Sequence, residues 1–253
     1  YQELAGAGVS SRCHQHVRYA GSPYSRAVTQ GAERVPYRTL PEAFVNLVED
    51  LRRAEGPTYH CVYVDVIDGT SHGYGPSSLQ VAAETRALFW LLEEIVASAL
   101  SRLGRDVLVL LSADHGHADV DPSRTIYLDE LLPESVHWMK SSAGGQPLLP
   151  AGSSRDLFLY VKEAHLEEAE RAIAEALDGR ARVRRTETLL AEGWFGPSPG
   201  PRLRERLGDL VVLPEPHEMV WWRAGGRFTE HKRGHHGGVT PEEIEIPLLA
   251  WAP

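Results

Sequence analysis

An apolar run that ends in acid and histidine residues constrains the fold of this chain more than any other feature. Residues 61–67 are dominated by β-branched side chains, which predicts a buried strand. Asp68 and, four residues later, His72 follow in a glycine-rich stretch that predicts a sharp turn. An aspartate and an imidazole that converge past a strand suit a hard or borderline cation, although a capping aspartate beside a surface histidine explains the same pattern.

Two later segments repeat this arrangement. The apolar run 107–112 predicts a second buried strand and leads into Asp114 and His115. Near the C-terminus, His235 and His236 precede two glycines and a final apolar run. Ligands of open α/β sheets gather at the carboxyl ends of the strands, so the first two clusters are expected to reach one site.

The three segments together resemble the alkaline phosphatase superfamily and, within it, the type I phosphodiesterase/nucleotide pyrophosphatase branch. The motifs that carry the resemblance are Asp-x-x-x-His before Gly-Tyr-Gly-Pro, then Ser-x-Asp-His-Gly, then His-Gly-Gly-x-Thr-Pro-Glu-Glu. Their order and spacing fit the family over nearly the whole chain. The resemblance implies an alkaline-phosphatase-like, three-layer α/β/α fold with a mostly parallel sheet.

The same resemblance implies a site for two divalent metal ions. Asp68, His72 and His236 would hold one ion, and Asp114 and His115 would contribute to the other. Zinc is the expected metal, and manganese is the alternative because carboxylates and imidazoles suit it as well.

Three neighbouring residues are predicted to support these ligands. The His-Gly-Gly pattern of the family makes His235 the supporting member of its pair. His117 is expected beside the ligand loop, and Asp65 is expected on the strand ahead of the first motif, where it orients a ligand or makes a strand-end hydrogen bond. His60 is expected to be a structural or surface residue.

The activity implied by the resemblance is metal-dependent hydrolysis of phosphodiester or pyrophosphate bonds through a Thr or Ser nucleophile. In the family, that nucleophile and one more aspartate ligand lie well upstream of the Asp-x-x-x-His motif. The residues before Asp68 show no such segment, so we expect the C-terminal part of a longer enzyme, inactive by itself. If it is active alone, Thr70, Ser71, Ser112 and the N-terminal serines are the candidates.

Other functions on the same scaffold stay open. They are a phosphomonoesterase, phosphonate hydrolase, sulfatase or phosphoglycerate mutase, or a noncatalytic module whose metal clusters only stabilise the fold. The expected substrate is a small phosphodiester or nucleotide-like molecule. The net charge of -9 argues against a stable nucleic-acid complex, and no apolar run approaches the roughly 20 residues of a membrane span. The oligomeric state and the compartment are left unknown, with the cytoplasm slightly favoured.

The two cysteines give no clear site. Cys61 lies in the apolar run and is expected to be a small core residue. Cys13 lies beside His14 and His16, which suggests a metal cluster but lacks the companion pair that such sites need. The simpler interpretation is that the two histidines mark one face of a short strand at 9–19.

Alternating strands and helices predict an α/β core over 1–118 and 230–253, with a small α+β insertion at 119–229. A long helix between the strands at 61–67 and 106–112 makes a βαβ unit and hence a parallel sheet. The segment 19–37 is predicted to be loop. The remaining predicted elements are helices at 41–53, 77–103 and 162–177, and strands at 156–161, 182–186, 210–213, 219–222 and 244–250.

Overall fold

The computed structural model describes residues 1–252 and divides the chain into two compact units. Unit 1 contains Tyr1–Thr70, Ser78–Ser112 and the C-terminal residues from Leu248. Unit 2 contains Ser71–Ser77 and Ala113–Pro247. The core and insertion limits given above follow from sequence pattern alone and stay a prediction.

The helices are spread over both units. In chain order they are α1 (Gln2–Gly6), α2 (Val17–Ala20), α3 (Pro23–Val28), α4 (Leu40–Arg53), α5 (Val66–Tyr74), α6 (Leu79–Leu91), α7 (Ser98–Leu100), α8 (Leu128–Leu131), α9 (Ser135–Trp138), α10 (Leu166–Leu177), α11 (Thr186–Ala191), α12 (Pro201–Leu207) and α13 (Pro241–Ile244). A π-helical segment, Leu92–Ala97, joins α6 to α7. Within residues 1–252, no helix is long and apolar enough to cross a bilayer.

The strands are short. In chain order they are β1 (Ser10–His16), β2 (Glu33–Tyr37), β3 (Thr58–Val62), β4 (Val109–Ser112), β5 (Ala118–Asp119), β6 (Ile126–Tyr127), β7 (Ala151–Ser153), β8 (Asp156–Leu159), β9 (Ala181–Arg185), β10 (Leu210–Pro214), β11 (Val220–Trp221), β12 (Gly234–His235) and β13 (Leu248–Trp251). The mixture of parallel and antiparallel pairs with helices agrees with the predicted α/β class. The predicted parallel pairing of the strands at 61–67 and 106–112 is wrong for the described residues, because β3 pairs with β1 and β4 pairs antiparallel with β13.

Unit 1 contains a parallel three-stranded sheet in the order β2-β1-β3, in which Cys13 lies opposite Cys61. Helix α4 begins after Thr39, whose hydroxyl accepts from the Glu42 amide at 3.4 Å. Its buried Phe44 forms a core with residues of α6, the π-helical segment and α7. The amphipathic pattern of 41–53 is therefore confirmed as a helix.

Strands β4 and β13 pair antiparallel within unit 1. Val109 packs against the core of the unit, whereas Leu108 is 67% and Leu110 62% exposed. The prediction of a strand buried on both faces is thus wrong for one face of β4, because the described part of the chain leaves that face in solvent.

Unit 2 is built around an antiparallel sheet in the order β7-β8-β10-β9. Strand β10 is buried along its whole length, as its inner position in the sheet requires. Helix α10 confirms the predicted helix, and it buries Ala169, Ile173 and Leu177 at helical spacing against the sheet.

Three further local predictions are wrong in part. The strand predicted at 244–250 is shorter, because Ile244 ends α13 and β13 runs from Leu248 to Trp251. The segment 19–37, predicted as loop, contains α3 and β2; β2 accommodates Pro36 because it is an edge strand, where a missing amide donor is tolerated. The strand predicted to reach residue 67 ends at Val62, and α5 begins at Val66. Asp68 and His72 therefore lie on a helix rather than in a turn, although the glycines of this segment have poor helix propensity.

Candidate metal centre

Helix α5 places two of the predicted ligands. Asp68 and His72 are four residues apart, so they lie one turn apart on the same helix face. The Nδ1 atom of His72 lies 2.8 Å from the Gly234 carbonyl oxygen, which leaves Nε2 as the atom with a lone pair. A side chain at position 234 would bring its Cβ to 2.3 Å from the Ser71 carbonyl oxygen, so only glycine permits this approach.

Three imidazoles of unit 2 converge at this point. Ligand atoms of His72, His117 and His236 lie within 4.8 Å of one another. Their ring centroids are 4.9 to 5.1 Å apart, and the ring of His115 stacks on that of His236 at 3.6 Å. Three imidazole nitrogens suit zinc and other divalent transition metals, and Asp68, one helical turn before His72 on α5, is the predicted oxygen ligand.

The backbone that carries His236 has a conformation that only glycine tolerates easily. Gly237 has a φ of +111°, and a Cβ there would lie 2.8 Å from the Ser153 hydroxyl oxygen. The next amide, of Gly238, donates to Glu243 at 3.0 Å. A Cβ at position 238 would lie 2.5 Å from a carboxylate oxygen of Glu243, so close approach explains both glycines of the His-Gly-Gly motif.

Glu243 takes part in a fully buried ion pair. Its carboxylate accepts from Arg155 Nε at 2.9 Å and from a terminal guanidinium nitrogen at 2.7 Å, and both side chains are at most 1% exposed. It also accepts from the Thr240 hydroxyl at 2.9 Å in a capping box at the start of α13. Burial opposes ionisation, but Arg155 and these donors outweigh it and lower the pKa of Glu243.

His235 has its ring nitrogens directed at protein groups. The His236 amide donates to Nδ1 at 3.0 Å, and Nε2 lies 3.4 Å from a carboxylate oxygen of Glu230. Burial opposes ionisation of Glu230, yet hydrogen bonds from His235 and two backbone amides outweigh it and lower its pKa to about 2. This geometry supports the choice of His236 as ligand and of His235 as its support, which stay predictions.

The other predicted residues are placed as follows. The Asp114 side chain is 71% exposed, 3.7 Å from Nε2 of His115, and neither residue belongs to the group of ligand atoms formed by the three converging imidazoles. His117, predicted to support the ligands, lies within that group. Asp65 precedes α5 and accepts the Gly69 amide at 3.0 Å through its backbone carbonyl.

Sequence reasoning missed three charged residues that contact the histidine-bearing backbone or each other: Arg155, Glu230 and Glu243. Thr240 and Glu243 have the Thr-x-x-Glu spacing of a capping box, so the sequence indicates the start of α13. Arg155 and Glu230 carry no such signal, because nothing local distinguishes them from surface charges.

A pocket of 330 Å³ lies beside the imidazoles in unit 2. Its lining residues are Pro76, Ser77, His117, Ala118, Asp119, Pro216, His217 and Glu242. The two carboxylates in this lining disfavour an anion in the pocket itself. A phosphate group nearby therefore needs a compensating cation.

Comparison with known proteins gives a family and a fold. A family model described as type I phosphodiesterase / nucleotide pyrophosphatase matches residues 7–238. The structure of murine ectonucleotide pyrophosphatase / phosphodiesterase 5 is similar, with a TM-score of 0.65 at 18% identity over 98% of this chain and 62% of that one. The human protein of the same name gives a TM-score of 0.64 at 16% identity, over 98% and 61%.

A third similar structure is an inactive variant of the murine protein with a threonine-to-alanine substitution, in complex with AMP. It gives a TM-score of 0.65 at 18% identity, over 97% of this chain and 61% of that one. The chain thus spans about three fifths of the length of these structures, which share its alkaline-phosphatase-like fold. A comparison of the sequence with curated proteins gave no significant match.

Proposed function

Because the chain belongs to the type I phosphodiesterase/nucleotide pyrophosphatase family, we propose that it forms the metal-binding part of a hydrolase of phosphodiester or pyrophosphate bonds. The observation that carries this proposal is the convergence of His72, His117 and His236, with Asp68 one turn before His72 on α5. One ring nitrogen from each of the three imidazoles within 4.8 Å of the others is an arrangement that a shared divalent cation would stabilise.

Two divalent ions, zinc or else manganese, are proposed for this centre. Asp68, His72 and His236 would hold one ion, and Asp114 and His115 would contribute to the other. When bound, such ions polarise the phosphoryl group and stabilise the charge on the attacking and leaving oxygens.

The role of the surrounding residues is to orient the imidazoles. Backbone carbonyls accept the Nδ1 protons of His72 and His115, at 2.8 and 2.9 Å, which leaves Nε2 of each ring for a metal ion. Glu243 fixes the backbone just after His236 through an amide hydrogen bond of 3.0 Å. These contacts bind and position ligands; none of them provides a nucleophile.

We propose that the nucleophile is a threonine or serine in polypeptide outside these residues. The inactive threonine-to-alanine variant of the murine relative supports a hydroxyl nucleophile. Leu110 of β4 and Leu108 just before it are exposed and offer an apolar face that further polypeptide would cover. The hydroxyl would attack phosphorus, release the leaving group and be regenerated by water.

A small nucleotide-like phosphodiester is the proposed substrate. The AMP complex of the murine variant supports a nucleotide. Because Asp119 and Glu242 line the 330 Å³ pocket, an uncharged part of the substrate suits it better than a phosphate. The phosphoryl group would then lie at the metal ligands.

The test is hydrolysis of bis(p-nitrophenyl) phosphate, with zinc or manganese, by this chain and by a polypeptide extended at its N-terminus. We expect activity in the extended protein only, and faster hydrolysis of this diester than of p-nitrophenyl phosphate or p-nitrophenyl sulfate. A faster monoester or sulfate reaction would move the assignment to a phosphomonoesterase or sulfatase. No hydrolysis by the zinc-loaded extended protein would favour a noncatalytic module.

Two variants connect the activity to the centre. His72→Ala in the extended protein is expected to lower the rate by more than about a hundredfold and to lower the bound zinc. His137→Ala is the matched control, because His137 is an exposed histidine of the same unit outside the imidazole cluster. Unchanged zinc content in His72→Ala would contradict the proposed ligand set.

A further inference from the structure

A second group of potential ligands lies within unit 1, on β1, β3 and α4. Strands β1 and β3 are parallel, with Arg12 opposite His60, so His14 and His60 are on the same face of the sheet. Helix α4 packs against both strands and brings Asp50 to that face. One ligand atom from each of His14, Asp50 and His60 lies within 4.8 Å of the others.

The distances suit a shared cation better than a direct hydrogen bond. His14 Nε2 lies 3.4 Å from His60 Nδ1 and 3.7 Å from Asp50 Oδ2. Metal–ligand bonds of about 2.05 Å in a tetrahedron separate two donors by about 3.3 Å. A hydrogen bond between such groups is normally about 2.9 Å.

The Asp50 carboxylate is held with one oxygen directed toward the imidazoles. Arg12 forms an ion pair with Oδ1 and also donates to Glu33 at 2.7 Å. The Asp50 side chain is only 10% exposed, and its Oδ2 atom has no hydrogen-bond partner among the described residues 1–252. A buried carboxylate oxygen in this state costs free energy unless a ligand satisfies it.

Charge and protonation also suit a cation. Arg12, Glu33 and Asp50 together carry one net negative charge, so the second carboxylate offsets the guanidinium. His14 Nε2 and His60 Nδ1 are the ring nitrogens that face each other, so the neutral form of each imidazole can offer a lone pair to a cation there.

We propose that His14, His60 and Asp50 bind a divalent transition-metal ion, with zinc as the reference ion. Two imidazoles and one carboxylate leave a position for water and select against calcium and magnesium, which prefer oxygen ligands. The ion would link β1, β3 and α4. Arg12 is a positioning residue that acts through Asp50. This inference does not depend on the proposed hydrolase activity.

The experiment is zinc stoichiometry, measured by mass spectrometry on the full chain after chelation, zinc dialysis and gel filtration. His60→Ala and Asp50→Asn are each expected to lose one equivalent of zinc relative to the unaltered chain. His16→Ala is the control, because His16 ends the same strand that carries His14. This variant is expected to lose no zinc. His72→Ala is expected to lose zinc from the other centre, so its loss should add to that of His60→Ala.

Asp50→Asn keeps the side-chain volume and an acceptor for Arg12, so it tests the ligand role with little change in packing. Circular dichroism of each variant checks that it is folded. On the unaltered chain, cobalt titration should show a visible absorption component that Asp50→Asn lacks. The inference is overturned if His60→Ala and Asp50→Asn both retain the full zinc stoichiometry. It is also overturned if the unaltered chain and Asp50→Asn show the same cobalt absorption.

Discussion

The buried pair Arg155–Glu243 offers the sharpest test of how unit 2 is held together. The Glu243 carboxylate accepts five donors: two from Arg155 at 2.7 and 2.9 Å, the Gly238 amide at 3.0 Å, and the Thr240 hydroxyl and amide at 2.9 and 3.4 Å. Glu243→Gln removes the charge but keeps the shape. It leaves the guanidinium of Arg155, which is 0% exposed, without a compensating charge.

The expected cost follows from that burial. Removing one partner of a buried ion pair typically destabilises a protein by about 3–5 kcal/mol, because the remaining charge stays out of water. With a urea m-value of about 3 kcal/mol/M, the unfolding midpoint should fall by about 1–2 M. Glu242→Gln is the matched control, since Glu242 is an exposed neighbour on the same helix, and it should change the midpoint little.

A double-mutant cycle separates the charge from the local hydrogen bonds. Arg155→Met combined with Glu243→Gln removes both charges, so the double variant should be destabilised by clearly less than the sum of the single variants. Additive effects, or a loss below about 1 kcal/mol in Glu243→Gln, would refute the reasoning that an uncompensated buried charge sets the cost.

Three smaller perturbations test contacts within each unit. His236→Ala is expected to lower zinc content, whereas His235→Ala should lower stability and keep the zinc; equal zinc loss in both would contradict the assignment. The pKa of Glu230 is about 2 in the folded chain and 4.5 in an ordinary glutamate. The ionised carboxylate therefore contributes its full stabilisation above pH 4.5, and this stabilisation is lost as the pH falls from 4.5 through 2. Urea unfolding should therefore show a free energy of unfolding that is lower at pH 2.5 than at pH 6, and up to about 3 kcal/mol of this decrease should be absent in Glu230→Gln. A hydrogen bond from Cys13 lowers the pKa of Cys61, and Cys13 is only 2% exposed, so iodoacetamide at pH 7 should label Cys61 first, as peptide mapping would show.

The elements that could be predicted from sequence are those with a strong internal period. Helices α4 and α10 repeat apolar residues at helical spacing over twelve or more positions, so packing and pattern agree. The loop prediction for 19–37 is wrong because its Gly, Ser and Pro residues, which are typical of loops, are compatible here with a helix and a strand. Pro36 fits a strand there only because β2 is at the sheet edge, which a single sequence does not reveal.

The candidate site shows a different limit. The spacing of Asp68 and His72 puts both residues on one side of a helix, so the residues were recognised although their local structure was not. Arg155 and Glu243 are 88 residues apart, and neither has a neighbour that signals burial. A charged pair of this kind is defined by tertiary packing, which sequence pattern does not contain.

The two histidine clusters differ in how their ligands are connected, and this decides what a sequence can show. In the first, Asp68 and His72 are separated by a single helical turn, so a local motif contains two of the predicted ligands. In the second, His14, Asp50 and His60 come from separate elements, and only the strand register that sets Arg12 opposite His60 brings the imidazoles together. The pattern of β1 alone indicates nothing more than a strand face with alternating histidines. A zinc stoichiometry for this chain is therefore interpretable only when both clusters are varied, because zinc that is retained after the loss of one ligand set can be bound by the other set.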